Sequence, residues 1–283
     1  MTKIPPGLEF VSPEQRRARG LQVYELVTGR PARPPVTRRE ETLIDFGFAE
    51  VWARAFDGVL GMRDRRLLVL SALGSLNAEA DLERHIYGAI KSGDLDLAEL
   101  NECVSHLAGY AGWAVAETAD RLVHEQWKVV HEERGETVPP APSYEPPAEP
   151  EDQEARQRHG ETHYRLVNWT PTPRAGTPFI ADGIIKFMFG KLWSHPGLTR
   201  RDRRILTLGS ACVAGNASPV HAHVLAALRS GELSYDECHE CVLQLGIYAG
   251  WPKAALLFSA VEEQSAKIKS MNFAPVTGQA AAG

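Results

Sequence analysis

Apolar residues recur along the chain at intervals of three and four positions, which is the spacing of one helix face. The segment from Arg63 to Leu76 shows this pattern most clearly. Its apolar members are Leu67, Leu68, Leu70, Leu73 and Leu76. A second helix is predicted from Leu82 to Ser92, because Gly93 directly after it is a residue that commonly ends helices. No segment predicts a strand convincingly, so the pattern favours an all-α fold.

Further helices follow in the same segment of the chain. A third helix is predicted to begin near Asp96, because a side-chain carboxylate at that position can cap the first N–H groups of a helix. It is predicted to run to about Tyr110 and to break at the glycine that follows. Another helix starts near Ala114. These segments together predict a small helical domain.

The same set of segments occurs twice. The sequence RDRRLLVL at 63–70 returns as RDRRILTL at 201–208, and Tyr110 to Trp113 returns as Tyr248 to Trp251, at a constant offset of 138 residues. A repeat of this kind indicates a duplicated structural unit. The other matched pairs are His85 and His223, Glu99 and Glu237, Glu102 and Glu240, and Cys103 and Cys241.

The second copy carries its own helix signals. A helix is predicted from Val220 to Ser230, with Gly231 at its end. The next helix starts near Ser234, and Glu237 three residues later completes the spacing of a capping box. The last helix starts at Pro252, since proline suits the first turn of a helix.

The repeat divides the chain into two copies joined by a linker. We predict two tandem helical domains over residues 15–131 and 155–271. The segment 132–154 between them is rich in proline and acidic residues and has no apolar period, which is typical of an extended linker. Weaker matches extend the repeat upstream and pair Gly20 with Gly160, Tyr24 with Tyr164, and Trp52 with Trp193.

Composition and charge exclude several classes of partner. The chain has 283 residues and a formal net charge of −5, so it has no overall basic field for nucleic acid. No apolar run approaches the roughly 20 residues that span a bilayer, so no membrane partner is expected. The N-terminal MTKIPPGLEF lacks the apolar core of a signal peptide, and four cysteines do not make a disulfide framework. We therefore expect a cytoplasmic protein.

Cys238 and Cys241 form a Cys-x-x-Cys pair that allows three interpretations. A redox pair is disfavoured, because both cysteines lie inside a predicted helix, away from the N-terminus that lowers a thiol pKa. A zinc site with His221 or His223 lacks the paired ligand spacing of structural zinc sites. Leu100 stands in the place of Cys238 in the first copy, which favours buried cysteines that pack as small apolar residues.

Each copy has one histidine followed, one helix later, by two glutamates that share a helix face. The sets are His85, Glu99 and Glu102 in the first copy and His223, Glu237 and Glu240 in the second. A histidine that faces glutamates on the next helix is suited to proton transfer. The alternative is structural, because glutamates near a helix start interact with the dipole and a repeated histidine can be a hydrogen-bonded core residue.

Two other histidines are separated from this set by their spacing. His221 and His223 are two residues apart and point in directions that differ by roughly 200° on a helix, so only one is expected to face a site. The repeat favours His223, because Glu83 stands in the place of His221. His106 has Gln244 as its counterpart, so we expect it to be less essential to a shared mechanism.

Three stretches of the second copy together resemble the gamma-carboxymuconolactone decarboxylase family. They are FGKLWSHPGLTRRDRRILTL, VHAHVLAALRSGELSYDECHECVLQ and YAGWPKAA. The family pattern has an aromatic-Gly-x-x-Trp segment, an arginine before a leucine-rich helix, His-x-x-x-Ala-Leu-x-x-Gly, Glu-x-x-Glu and Tyr-x-Gly-x-Pro. The resemblance implies an all-α enzyme without a cofactor or metal. It also implies a homo-oligomer, with a fused pair of domains forming a trimer of hexamer-like symmetry.

The resemblance also implies roles for individual residues. His85 and His223 are candidate general acids, which the four repeated glutamates position or tune. Candidate carboxylate-binding arginines are Arg201, Arg204 and their counterparts Arg63 and Arg66. Candidate pocket walls are Trp193, Tyr248 and Trp251. His195 and His221 stand where family members commonly have arginines and are candidates for substrate binding, whereas Arg54 follows Trp52 in the first copy.

The related alkyl hydroperoxide reductase D proteins use a Cys-x-x-Cys-x-x-x-His motif. Asn216 and Pro219 stand where those cysteines would precede His223, so peroxidase chemistry is not expected. The leading hypothesis is a cofactor-free carboxy-lyase or isomerase that acts on a small carboxylated lactone in aromatic catabolism. One alternative is a family member recruited to a biosynthetic pathway for decarboxylation, double-bond isomerisation or ring rearrangement. Another is a non-catalytic helical scaffold.

Overall fold

A computed structural model describes residues 12–140, 150 and 152–271, and every regular element in these ranges is helical. The predicted all-α fold is therefore confirmed. None of the helices in these ranges is both long and apolar enough to cross a lipid bilayer. The first copy contains α1 (Pro13–Thr28), α2 (Arg38–Thr42), a π-helical segment (Leu43–Val51), a 3₁₀ turn (Trp52–Ala55), α3 (Met62–Ser75), α4 (Glu79–Ser92), α5 (Leu97–Ala111) and α6 (Trp113–Glu133).

The second copy repeats this order without counterparts of α2 and of the 3₁₀ turn. It contains α7 (Gln153–Asn168), a π-helical segment (Phe179–Leu192), α8 (Arg200–Ala214), α9 (Ala217–Ser230), α10 (Tyr235–Ala249) and α11 (Trp251–Ser270). Ten residues of the predicted linker, 141–149 and 151, lie outside the described residues. Helix α6 ends at Glu133 and α7 begins at Gln153, so both helices reach just inside the predicted linker of residues 132–154. The domain bounds at 131 and 155 stay predictions.

The ends of the repeated helices follow from local chemistry. Gly93 and Gly231 adopt the left-handed conformation, with φ of 75° and 74°, and end α4 and α9 as expected. Helices α5 and α10 each begin with a capping box. It joins Asp96 to Glu99 in α5 and Ser234 to Glu237 in α10. These boxes satisfy N–H groups that have no partner within the helix.

The two copies share one apolar core. Helices α3 and α8, which are counterparts, pack against each other at its centre, while α10 packs on α3 and α5 packs on α8. Helix α5 of the first copy therefore lies against α8 of the second copy, and α10 of the second copy lies against α3 of the first. Ser71 and Gly209 are counterparts that meet where α3 and α8 approach, and a Cβ on Gly209 would lie 2.1 Å from the Ser71 hydroxyl. The packing thus has approximate twofold symmetry around this contact.

Gly20 and Gly160 explain why the repeat extends upstream of α3. A Cβ on Gly20 would lie 2.3 Å from the carbonyl oxygen of Ile44, and a Cβ on Gly160 would lie 2.1 Å from that of Ile185. Both contacts place the first helix of a copy against the backbone of its π-helical segment. Only glycine permits this approach.

We expect Gly20→Ala to lower the free energy of unfolding by about 3 kcal/mol, because the added methyl group forces the two backbones apart. Gly183→Ala is the matched control, since a Cβ there would meet no atom within 4 Å. Denaturant unfolding of both variants measures the difference. Equal stability of the two variants would contradict the close approach.

Candidate active site

His85 is buried between an indole and a phenol that come from different copies. The Trp52 ring stacks on the imidazole with ring centroids 5.6 Å apart and an interplanar angle of 14°. The hydroxyl of Tyr248, on α10, lies 2.8 Å from His85 Nε2. Trp52 Nε1 donates a hydrogen bond to the same hydroxyl at 2.8 Å. The first copy thus supplies the histidine, and the second copy supplies its hydrogen-bond partner.

These hydrogen bonds define the proton positions on His85. The indole N–H of Trp52 can only donate, so the Tyr248 oxygen accepts from it. His85 Nε2 can donate or accept, depending on the tautomer. Among the described contacts it is the acceptor available to the phenol proton, so we assign that proton to the hydrogen bond between Tyr248 and Nε2. The imidazole proton then lies on Nδ1. His85 Nδ1 is buried and makes no hydrogen bond to the described residues.

The second copy holds His223 in the equivalent way. The Trp193 ring stacks on His223 with centroids 5.7 Å apart, and Trp193 Nε1 donates to the Tyr110 hydroxyl at 2.8 Å. Tyr110 lies on α5, in the first copy, and its hydroxyl is 3.5 Å from His223 Nε2. Each predicted histidine therefore meets a tyrosine of the other copy. The spacing within one copy predicted the glutamates of the next helix as partners instead.

The packing of α10 on α3 explains this exchange. Glu240, Gln244 and Tyr248 are four residues apart and share one face of α10. Arg65, from α3, is fully buried against this face and donates to Gln244 Oε1 at 3.0 Å and to Glu240. Arg54 donates to Glu240 Oε1 through Nε at 2.8 Å. A row of charged and polar groups thus leads from Arg54 to the buried imidazole.

We call this group the first composite site. Its members from the first copy are Trp52, Arg54, Arg65 and His85, and those from the second copy are Glu240, Gln244 and Tyr248. The second composite site is related to it by the approximate twofold symmetry. Its members from the second copy are Trp193, His195, Arg203 and His223, and those from the first copy are Glu102, His106 and Tyr110.

Burial sets the protonation states of the first composite site. Burial, with the nearby Arg66 charge, lowers the pKa of His85 to about 3, so the imidazole is neutral at neutral pH. Burial also raises the pKa of the Tyr248 phenol well above its usual value. Burial acts to raise the pKa of Glu240, but hydrogen bonds from Arg54 and Arg65 outweigh it, so the pKa is lowered and the group is a carboxylate.

The second composite site differs in its polar residues. His195 takes the place of Arg54, and its Nδ1 lies 2.8 Å from Glu102 Oε1. Arg203 Nη2 donates to the other oxygen of Glu102 at 2.9 Å. His106 takes the place of Gln244, and its Nε2 lies 2.8 Å from the hydroxyl of Thr207. Burial lowers the pKa of His106 well below its usual value.

Arg204 contacts the histidine of the second composite site directly. Its guanidinium donates to His223 Nδ1 and lies over the Trp193 ring, 4.9 Å from the centroid. Burial, followed by the Arg204 charge, lowers the pKa of His223 well below its usual value. Arg66, the counterpart of Arg204, bonds to other groups, and its Nε donates to Asp94 at 2.7 Å. The two buried histidines therefore differ at Nδ1.

Glu99 and Glu237 do not join the histidines in the contacts that the structure describes. Each lies in the capping box of its helix, and they accept hydrogen bonds from Arg63 at 2.6 Å and from Arg201 at 2.7 Å. Arg201 also bonds to Asp64 of the first copy at 2.7 Å. These side chains stabilise helix starts and the contact between the copies. This is the structural role that their position near a helix start offered as the alternative to proton transfer.

Two other predicted site residues lie away from the buried histidines. His221 Nδ1 is 3.1 Å from the Gln264 side chain on α11, so His221 faces α11. Trp251 is 54% exposed, and its ring lies 6.0 Å from that of Phe46. The i, i+2 spacing predicted that only one of His221 and His223 would face a site, and only His223 stacks on Trp193.

The cysteines have the surroundings of packed apolar residues. All four are free and buried, and burial raises the pKa of Cys238 to about 12. Burial raises the pKa of Cys241 as well. Within the described ranges, no group of three or more His, Cys, Asp or Glu side chains is placed to hold a metal ion.

Four members of the first composite site were not predicted from the sequence. They are Trp52, Arg54, Arg65 and Gln244. Trp52 and Arg65 belong to matched segments, so repetition was a usable signal for both. The role of Gln244 depends on Arg65, which comes from the other copy. Tyr110 of the second composite site was likewise noted only as part of the repeat.

Comparison with known proteins establishes the family. A model of the carboxymuconolactone decarboxylase family matches residues 40–125 and 178–263, more than half of the chain. The chain belongs to this family, with two tandem copies of its domain, as the resemblance indicated.

Two curated relatives match a part of the chain. A 4-carboxymuconolactone decarboxylase of Acinetobacter baylyi is 30% identical over 92 residues, which cover 32% of this chain and 66% of that protein. A nitrosuccinic acid decarboxylase of Metarhizium robertsii is 33% identical over 82 residues, which cover 28% of this chain and 57% of that protein. The chain thus spans less than two thirds of the length of each relative. Both relatives are named as decarboxylases.

Proposed function

We propose that the first composite site decarboxylates a small dicarboxylic acid in which an electron-withdrawing group is conjugated with, or adjacent to, the departing carboxylate. A carboxylated lactone is the leading substrate class. The observation that carries the proposal is the buried N–H of His85 Nδ1, which makes no hydrogen bond to the described residues and lies in a site with two arginines.

The substrates named for the two relatives support this class. Carboxymuconolactone and nitrosuccinic acid each carry two carboxylates, and each has an oxygen-bearing group that accepts electrons. When CO₂ leaves, the electron pair moves onto the lactone carbonyl or the nitro group. The resulting dienolate or nitronate then takes up one proton from solvent, at the carbon next to the lactone carbonyl or at the carbon that bears the nitro group. A suitable enzyme binds the remaining carboxylate and stabilises negative charge as it develops on oxygen.

The first composite site provides groups for both tasks. Arg54 and Arg65 are guanidinium donors that suit a carboxylate. The Arg54 side chain is 48% exposed, so it can receive an anion from solvent. In the buried part of the site, His85 Nδ1–H is placed to donate to the developing oxyanion. Because its pKa is about 3, His85 acts here as a neutral hydrogen-bond donor rather than as an imidazolium general acid.

Tyr248 and Trp52 are positioning residues in this proposal. The phenol donates to His85 Nε2 and thereby keeps the proton on Nδ1. Trp52 holds the phenol oxygen and covers one face of the imidazole. The second composite site lacks the same donor, because Arg204 occupies His223 Nδ1. The proposed decarboxylation therefore belongs to the first site.

We expect His85→Ala to lower kcat/KM for CO₂ release by about 10²–10³, the usual effect of removing one oxyanion donor. The matched variant His223→Ala is expected to stay within about tenfold of the wild type by the same scale. His85→Asn retains an N–H near the Nδ1 position and is expected to keep more activity than His85→Ala. Assays with 4-carboxymuconolactone and with nitrosuccinate measure CO₂ release and the remaining acid by NMR.

Circular dichroism controls for folding of these variants. An equal loss in His85→Ala and His223→Ala would contradict the assignment to the first site. If the wild type released no CO₂ from either acid, this substrate class would be wrong, and double-bond isomerisation or a scaffold role would take its place. The cytoplasmic location and the trimer of hexamer-like symmetry stay predictions.

A further inference from the structure

We propose that the second composite site is a separate proton-transfer site for a monocarboxylate. It would remove a proton from a carbon next to an electron-withdrawing group and return it, which exchanges or isomerises the acid without loss of CO₂. This activity goes beyond the proposed decarboxylation and does not depend on it. Three features of the site carry the inference: its charge, the donors of Arg203 and the pairing of His195 with Glu102.

The second composite site has one positive charge fewer than the first. In the first site, Arg54 and Arg65 face the single carboxylate of Glu240. In the second site, Arg203 alone faces Glu102, because a histidine replaces the other arginine. The deeper Arg66 and Arg204 each pair with one carboxylate, so they do not change this difference. Arg200 also approaches Glu232, at 3.8 Å, but it is not a member of the second composite site. A site with one cation fewer suits an acid with one carboxylate fewer.

Arg203 has buried donors that the protein leaves unsatisfied. It is 1% exposed, and its Nε and Nη1 make no hydrogen bond to any described residue. Its counterpart Arg65 donates from these atoms to the Leu60 carbonyl and to Gln244 Oε1. A buried donor without a partner is costly, and a carboxylate oxygen is a strong acceptor for guanidinium. The bound acid would place its carboxylate at Arg203.

The replacement of Arg54 by His195 changes what this position can do. A guanidinium stays protonated, whereas imidazole is the side chain best suited to accept and release protons near neutral pH. The Nδ1 atom of His195 hydrogen-bonds to the Pro196 carbonyl at 3.0 Å and lies 2.8 Å from Glu102 Oε1. Because a carbonyl oxygen can only accept, Nδ1 carries the ring proton, and Nε2 is the nitrogen that takes up a proton in this proposal. The His195 side chain is partly exposed, which allows a small acid to reach it.

The step needs no other reactant. His195 Nε2 takes a proton from the carbon, and the C–H electron pair moves onto the oxygens of the adjacent nitro or carbonyl group. The resulting nitronate or enolate is an anion held beside Arg203. The imidazolium then returns a proton to the same carbon, or to the conjugated carbon when a double bond is present. No atom is gained or lost, and no group is oxidised.

Hydrogen–deuterium exchange tests this proposal. The probe is 3-nitropropanoate, the monocarboxylate that remains when nitrosuccinate loses the carboxyl group next to its nitro group. In D₂O at neutral pH, proton NMR follows loss of the signal from the carbon that bears the nitro group. We expect the wild type to accelerate exchange over buffer, and His195→Arg to lose at least tenfold of that acceleration.

His85→Ala separates the two sites, since it is expected to retain the exchange while losing decarboxylation. His221→Ala, which faces α11, controls for histidine removal outside both sites. Exchange that disappears in His85→Ala, or persists in a folded His195→Arg variant, would overturn the proposal, as would exchange at the buffer rate in the wild type. Exchange that depends on His195 in an enzyme that releases no CO₂ would support this inference and contradict only the decarboxylase proposal.

Discussion

Lowering the pH from 7.5 to 5 is expected to remove most of the stability of this protein. His85, His106 and His223 are almost fully buried, and burial lowers the pKa of each below the usual value of about 6.5. In the unfolded chain these histidines take up protons below that value, whereas in the native protein they stay neutral. Protons therefore favour the unfolded state, and stability falls as the pH drops below about 6.5.

The expected loss is large compared with ordinary protein stability. At pH 5, each histidine whose native pKa lies far below 6.5 costs about 2 kcal/mol, and three cost about 6 kcal/mol. Typical domains are stable by about 5–15 kcal/mol. The lowered pKa values of Glu237 and Glu240 act in a lower range, because their stabilisation is lost only as the pH falls below the ordinary glutamate value of 4.5.

Denaturant unfolding at intervals between pH 7.5 and pH 5 measures this slope. His106→Gln is the matched variant, because Gln244 occupies the equivalent position of the first composite site. It is expected to reduce the pH dependence by about 1.4 kcal/mol per pH unit, the contribution of one proton. A wild-type stability that does not change between pH 7.5 and pH 5 would show that these histidines titrate normally in the native state.

Local signals were sufficient to predict the helices and most of their ends. Gly93 and Asp96 lie at the ends of helices where single residues determine the backbone geometry. The capping box explains why Glu237 repeats, and the structure finds the glutamate in that role. The π-helical segments carry no such signal, because their apolar residues fit an ordinary helix as well. The part of the fold that depends on neighbours in sequence was therefore predictable.

The composite sites were not predictable in this way. His85 and Tyr248 are 163 residues apart, and their contact exists because α10 of one copy packs on α3 of the other. Spacing within one copy identifies the histidine and the tyrosine separately, but it cannot pair them. Arg65 was missed for a related reason, since its position in a basic run resembles a solvated helix start. Its burial follows only from the packing of the two copies.

Fusion of the two copies permits the sites to differ. In a symmetric pair of identical chains, every substitution appears in both sites at once. Here Ser71 faces Gly209 across the contact between α3 and α8, where a Cβ on Gly209 would lie 2.1 Å from the serine hydroxyl. Two serines would collide at this point, so the contact depends on different residues in the two copies. The same freedom allows the second composite site to have His195 at the position where the first composite site has Arg54.

A rebuilt second composite site is expected to restore decarboxylation to the His85→Ala variant. The rebuilding substitutions give the second site the polar residues of the first, and they are His195→Arg, His106→Gln, Thr207→Val and Glu232→Asp. The first two restore an arginine beside Glu102 and an amide beside Arg203. Thr207→Val removes the hydroxyl that binds His106. The proposed binding groups for a dicarboxylic acid are then present in both sites.

Glu232→Asp addresses the remaining difference between the two sites, which is the hydrogen bond from Arg204 to His223 Nδ1. Glu232 accepts a hydrogen bond from Arg204 Nε at 2.8 Å, and the shorter Asp94 accepts one from Arg66 Nε. In the first copy, no arginine among the described residues donates to Nδ1 of the buried histidine. Shortening the carboxylate is expected to draw Arg204 away from His223 Nδ1 and leave that atom as a donor. We expect the rebuilt variant to release CO₂ at least tenfold faster than His85→Ala alone, a gain of about 1.4 kcal/mol in transition-state stabilisation.

The control is the same set of four substitutions with His223→Ala added, which is expected to lose the restored activity. Assays use the acid that the wild type turns over. Because none of the rebuilding substitutions changes a member of the first composite site, any restored turnover in the His85→Ala background must arise at the second composite site. A folded variant that releases CO₂ no faster than His85→Ala would show that these polar residues do not account for the difference between the two sites.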